Sequence, residues 1–142
     1  MPWINLTLRR GALPKPVQHA VVAKLTEVLM WWEKVPDTPA ARKLLKAWVY
    51  EAAEDADYNA GSPDHDKPFY FLEIRIPINR LDLLAKQGLI RDFTRVVLEA
   101  EASRVWVTIN ELKSEDWGIG GHTDWLRDYT IALDEVGDCQ AP

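Results

Sequence analysis

A single cysteine, Cys139, serves 142 residues, so the chain can form no internal disulfide. Positive charge is also in short supply: 17 Lys and Arg face 22 Asp and Glu, a net charge of -5. That balance argues against a surface that tracks phosphates, and nucleic acid is not an expected partner. No apolar run approaches the ~20 residues needed to span a bilayer, so no membrane partner is expected. The opening Met1-Pro2-Trp3-Ile4-Asn5 lacks the basic and apolar regions of a secretory signal, and the chain reads as cytoplasmic. Metal-ligand spacing is missing too. Asp64-His65-Asp66 sits in a linker with no clear partner ligands and reads as a solvated loop, so no metal is expected. Gly118-Ile119-Gly120-Gly121 has neither the lysine nor the helix context of a phosphate loop. What is present, 47% hydrophobic and 27% charged residues, is an ordinary globular composition. The length suits one compact domain spanning residues 1–142 with a sizeable core.

Comparison of the chain with itself shows two copies of one unit, about residues 1–61 and 68–121, followed by a C-terminal tail. The first opens Pro2-Trp3-Ile4-Asn5-Leu6-Thr7-Leu8-Arg9, the second Pro68-Phe69-Tyr70-Phe71-Leu72-Glu73-Ile74-Arg75. Each has a proline, an aromatic, alternating apolar positions and an arginine seven residues after the proline. The period of two predicts strands, with Ile4, Leu6 and Leu8 matching Tyr70, Leu72 and Ile74.

Helical spacing follows in each half. Val17, Val21, Leu25, Val28 and Trp32 recur at three and four residues, as do Leu89, Phe93, Val96, Val97 and Ala100. Gly88 costs the second helix about 1 kcal/mol relative to alanine, so its early turns are the weaker part of that expectation. Further strands, around Ala47-Trp48-Val49-Tyr50 and Val105-Trp106-Val107-Thr108, close the units. Tyr58-Asn59-Ala60-Gly61 is a degraded echo of Trp117-Gly118-Ile119-Gly120. Val35 to Ala40 is extra in the first half and is expected as a loop with a short helical turn. A short tail helix is expected around Trp125 to Tyr129.

The fold class is therefore α/β in the α+β sense: a tandem β-α-β repeat whose four-stranded sheet carries two helices on one face. The other face holds Trp3, Phe69 and Phe71, costly to leave wet at roughly 25 cal/mol per Å². An oligomer that buries those faces solves the problem.

These residues resemble the 4-oxalocrotonate tautomerase superfamily, whose unit is a short β-α-β beginning Met-Pro. The resemblance spans residues 1 to 121. It rests on Pro2, on the duplication, and on Val105-Trp106-Val107-Thr108-Ile109-Asn110-Glu111 followed by Trp117-Gly118-Ile119-Gly120-Gly121. It implies a tautomerase/MIF-like fold and a homotrimer of double units. The activity it implies is that of a cofactor-independent isomerase acting on small 2-oxo or unsaturated carboxylic acids. No cofactor is needed, because the substrate's own carbonyl is the electron sink.

By the same resemblance Pro2 is the general base and acid once Met1 is removed. Burial beside arginines is expected to depress its amine toward neutrality. Arg75 is the expected electrophilic partner, able to grip a carboxylate through two parallel bonds and to stabilise enolate charge. Arg80 offers a second contact, and Trp117 matches the aromatic that walls the pocket. Arg9 is the repeat equivalent of Arg75 and would serve the Pro68 end, which has no free amine.

Trp106 occupies the place of a further substrate-binding arginine, with Arg104 beside it, which leaves the substrate open. Ile119 stands where the haloacrylate dehalogenases have a water-activating glutamate. Thr108 and Leu29 or Met30 stand where the cis-acting enzyme has a tyrosine and a histidine, and His19 lies too early to replace the latter. Asp37 lies ahead of the aspartate position of malonate semialdehyde decarboxylase. Hydration, dehalogenation and decarboxylation are therefore weaker readings than tautomerisation. A non-catalytic oligomeric relative is the alternative from another class.

Overall fold

Alternation in the two long hydrophobic segments sets the architecture. The computed structural model describes residues 2–63, 68–100 and 104–118. In order they form β1 (Trp3–Arg9), α1 (Lys15–Trp32), α2 (Pro39–Leu44), β2 (Lys46–Ala52), β3 (Tyr58–Asn59), β4 (Ser62–Pro63), β5 (Phe69–Pro77), α3 (Leu83–Ala100) and β6 (Arg104–Leu112). A 3-10 turn, Ser114–Asp116, follows. The main sheet has the order β2-β1-β5-β6. β1 is parallel to β2 and β5 to β6, while the central β1–β5 pair is antiparallel, with Ile4 opposite Ile74 and Leu6 opposite Leu72. Each parallel pair is joined through a helix, as the repeat requires.

The buried positions fall where the period of two puts them. Ile4, Leu6 and Leu8 face the helices together with Tyr70, Leu72, Ile74 and Ile76. Leu25 and Leu29 of α1 and Leu89 and Phe93 of α3 close over them as one core. Trp3, Phe69 and Phe71 lie half-buried on the opposite face, as expected.

Three local details differ from the sequence expectation or refine it. α3 runs unbroken through Gly88 from Leu83. The glycine is there for space rather than as a weak point: an added Cβ would overlap the Trp32 ring of α1, which also donates Nε1–H to Asp92 at 3.0 Å. Secondly, Tyr58–Asn59 pairs with Ser62–Pro63 in a small hairpin of its own. Ala60 and Gly61 turn it with φ of 51° and 83°, the left-handed pair that two-residue hairpin turns need. Thirdly, the extra segment of the first half contains α2, which Thr38 caps by accepting the Ala41 N–H at 3.1 Å, with Pro39 in the first turn. The tail helix expected at Trp125 to Tyr129 lies outside the described residues.

Candidate active site

Because β1 and β5 are antiparallel, the start of β1 shares one end of the sheet with the end of β5. The register sets Trp3 between Lys46 and Arg75, and Arg75 beside Asn110. The last turn of α1 and the first of α3 come to the same end. Pro2, immediately before β1, is buried there. Trp117 reaches the same place after β6 and packs its ring against Trp3 at 4.4 Å between centroids, in a small cluster with Met30, Val35 and Ala41.

A cleft of about 1120 Å³ opens beside this cluster, between the end of α1 and the β5–α3 turn. Met30 and Val35 belong to both the aromatic cluster and the cleft wall, which ties the cleft to the Pro2 end of the sheet. Trp31 and Leu81 extend the apolar wall, while Arg80 and Lys34 bring positive charge. Arg80 is anchored by an Nη2–H bond to the Glu33 carbonyl at 2.7 Å.

Glu33, which the sequence reading passed over, is the acid most affected by this setting. It is 3% exposed, lines the cleft, and neither carboxyl oxygen has a hydrogen-bond partner among the described residues. The helix end dictates its place. Lys34 N–H bonds Trp31 O at 3.1 Å and Val35 N–H bonds Met30 O at 2.9 Å, the paired bonds of a Schellman turn, with Lys34 left-handed at φ 54°. Val35 and Met30 supply the apolar contact that accompanies such turns. The turn leaves Glu33 as the last residue on the buried stripe of α1. Burial raises its carboxyl from 4.5 to about 7, opposed by the positive charges of Arg80 and of the chain's amino terminus. A signal for it is in the sequence: Val21, Leu25, Leu29 and Glu33 are four apart.

The other expected residues are distributed unequally. Arg75 stands at the right end of the sheet but on its open face, where alternation puts it with Trp3. Its guanidinium lies 5.0 Å from the Trp3 ring centroid and binds Glu73 Oε1 through Nε at 3.1 Å and Nη2 at 2.9 Å. Asn5 and Asn110 also donate to Glu73, each at 3.0 Å. Burial raises the Glu73 carboxyl, but the bonds from Asn5 and Arg75 outweigh it and hold the group below the usual range. Arg9 ends β1, roughly 20 Å from Trp3 at the ~3.3 Å rise of a strand. There it lies 3.6 Å from Asp57, at the Pro68 end of the sheet. Trp106 and Arg104 lie on the open face of β6. The Asp64-His65-Asp66 run, Ile119 to Gly121, and Cys139 lie outside the described residues. No group of three or more metal-binding side chains occurs among the described residues, and no helix among them is long and apolar enough to cross a membrane.

No family model matches the chain, and no curated protein sequence does. Solved structures do. The F6 fused 4-OT asymmetric trimer aligns with a TM-score of 0.74 at 16% identity, over 88% of this chain and 98% of that one. N1, a member of the cis-3-chloroacrylic acid dehalogenase family, gives 0.69 at 18% identity over 94% and 99%. The macrophage migration inhibitory factor-like protein of Entamoeba histolytica gives 0.64 at 13% identity over 83% and 94%. At such identities the likeness concerns the backbone, and it extends along nearly the whole of each structure. The chain has the tautomerase-superfamily fold, shared with 4-OT fusions, cis-CaaD-family proteins and MIF-like proteins.

Proposed function

We propose that the chain is a cofactor-independent tautomerase that interconverts enol and keto forms, or shifts a double bond, in small 2-oxo or unsaturated carboxylic acids. The observation that carries this reading is that buried Pro2 lies at the same end of the sheet as a cleft that holds Arg80, the two linked by Met30 and Val35, which line the cleft and pack in one cluster with Trp117. With Met1 removed, Pro2 presents a secondary amine on a rigid ring. Such a group can take a proton from one atom of a conjugated acid and return it to another, an effect typically worth ~10²–10⁴-fold. Arg80 is the carboxylate anchor in this reading, because it lines the cleft and Arg75 does not. Arg75 acts indirectly: its charge lies over Trp3, and Trp3 in turn supports Trp117. Arg9, at the far end, takes no part in the Pro2 site. Trp117, Met30 and Val35 exclude water, which strengthens every electrostatic contact inside. The assembly is a homotrimer, as in the fused 4-OT structures.

The test is ketonisation of phenylenolpyruvate and of 2-hydroxymuconate by mass-verified protein that begins at Pro2. Pro2→Ala is expected to lower kcat by about 100-fold or more. Arg80→Ala is expected to raise KM by about 10-fold or more through loss of a charge-assisted bond, and Arg75→Ala to do less. An inert wild type with a free proline, or an unaffected Pro2→Ala, would overturn the mechanism.

A further inference from the structure

Four acids border the cleft, and three of them have other partners. Asp37 is bound by Arg42, with Nη2 to Oδ2 at 2.8 Å. Glu27 lies 3.9 Å from the same guanidinium. Asp82 caps α3 by accepting the Ala85 N–H at 2.8 Å. Glu33 has no hydrogen-bond donor among the described residues, yet it is the most deeply buried of the four. A carboxyl in that state is costly, and leucine would continue the stripe of Leu25 and Leu29 without the cost. Its backbone is also fixed twice over, by the Schellman turn and by the Arg80 bond to its carbonyl. The residue is therefore held at the cleft wall with its carboxyl oxygens covered, beside the same Arg80 that the reading above assigns to the substrate carboxylate.

We propose that Glu33 is the second proton-transfer group of the cleft, acting at the substrate's enol oxygen while the Pro2 amine acts at its carbon. This rests on the tautomerase reading. In the ketonisation direction the Glu33 carboxylate removes the enol O–H proton and the C=O bond forms. The C=C electron pair takes a proton from the Pro2 ammonium, making the new C–H bond. Glu33 is then protonated and Pro2 neutral, and transfer of that proton from carboxyl to amine, directly or through one water, restores the starting state. Nothing is oxidised or reduced. The reverse reaction begins from the neutral pair. A carboxyl that ionises near neutrality supplies either form at working pH. The charges that face it are Arg80 from the β5–α3 turn, Lys34 from its own turn, the acids just named, and the amino terminus. An acid–base group at oxygen relieves the cleft of needing a second arginine there. The substrate class is therefore a 2-oxo acid with one carboxylate, its apolar or aromatic tail lying along Trp31 and Leu81.

The test compares wild type, Glu33→Gln and Glu33→Asp, all full chains starting at Pro2, with phenylenolpyruvate over pH 5 to 9. Circular dichroism confirms folding of each variant. Wild type is expected to show a limb in kcat near pH 7. Glu33→Gln should lose that limb and about 100-fold in kcat with KM little changed, and Glu33→Asp should recover part of both. A second readout needs no variant kinetics. In protein labelled with 13C-carboxyl glutamate, one resonance should titrate near pH 7. An active wild type whose limb survives in Glu33→Gln, or a spectrum with every glutamate titrating near 4.5, overturns the role of Glu33 and leaves the tautomerase reading standing. A wild type inert with a free proline overturns both.

Discussion

At the residue scale the most exposed consequence of the structure is electrostatic. The folded chain holds a proton on Glu33 up to about pH 7, whereas an unfolded glutamate gives it up near 4.5. The folded pKa is therefore the higher one, and the native state binds more protons between those values. Stability from this group is complete below about 4.5 and lost as pH rises through 7, the reverse of the usual carboxylate case. The full shift corresponds to roughly 3 kcal/mol at ~1.4 kcal/mol per pH unit. Wild type is expected to lose thermal stability from pH 5 to 8 more steeply than Glu33→Gln. The amide of the variant carries a burial cost of its own, but that cost does not vary with pH. Melting curves of the two proteins at matched ionic strength check it, and parallel pH profiles would show that Glu33 ionises like a surface acid.

At the element scale, two backbone choices are set by neighbours rather than by propensity. Lys34 occupies the left-handed position that ends α1, where glycine carries no penalty. Lys34→Gly is expected to raise stability by about 1 kcal/mol, read as a shift in the urea midpoint with unchanged m. Gly88→Ala should go the other way. Helix propensity alone favours alanine by about 1 kcal/mol. The added methyl meets the Trp32 ring, however, and overpacking of that kind costs about 1–3 kcal/mol. Net destabilisation in urea is the expected outcome. A more stable Gly88→Ala would mean that α1 and α3 are free to move apart. These positions also show what a sequence can and cannot say. The strands and the repeat were legible because Ile4-Leu6-Leu8 and Tyr70-Leu72-Ile74 carry their period of two in plain view. Gly88 read as a weak point because its reason lies 56 positions back, on another helix. Choosing between Arg75 and Arg80 needed the β5–α3 turn, since alternation puts position 75 on the open face while the turn brings position 80 around to the cleft. Glu33 sat in view on the four-residue spacing. A charged side chain at a helix end normally reads as solvated, and only the Schellman turn and the wall around it make it buried.

At the scale of the whole molecule, the sheet has one face covered by helices and one that is not. Across the uncovered face run Trp48 and Tyr50 of β2, Phe71 of β5, and Trp106 of β6, the last 64% exposed and edge-on to Phe69 at 5.3 Å. A monomer seldom leaves so continuous an aromatic surface in water. The polar groups in its midst do not oppose burial, because Asn5, Arg75 and Asn110 already converge on Glu73 within the chain. A second surface placed over them need supply few partners. The face is thus prepared for other copies of the chain, which is where the proposed trimer would close. Light scattering at micromolar concentration should give three times the monomer mass. Trp48→Glu combined with Trp106→Glu should reduce it to the monomer, with the helical circular dichroism signal intact, because both rings are exposed in the single chain. If the doubly substituted protein still assembles, its contacts lie on another face. If wild type is already a monomer, the trimer is wrong, and the open sheet must find its cover in a different partner.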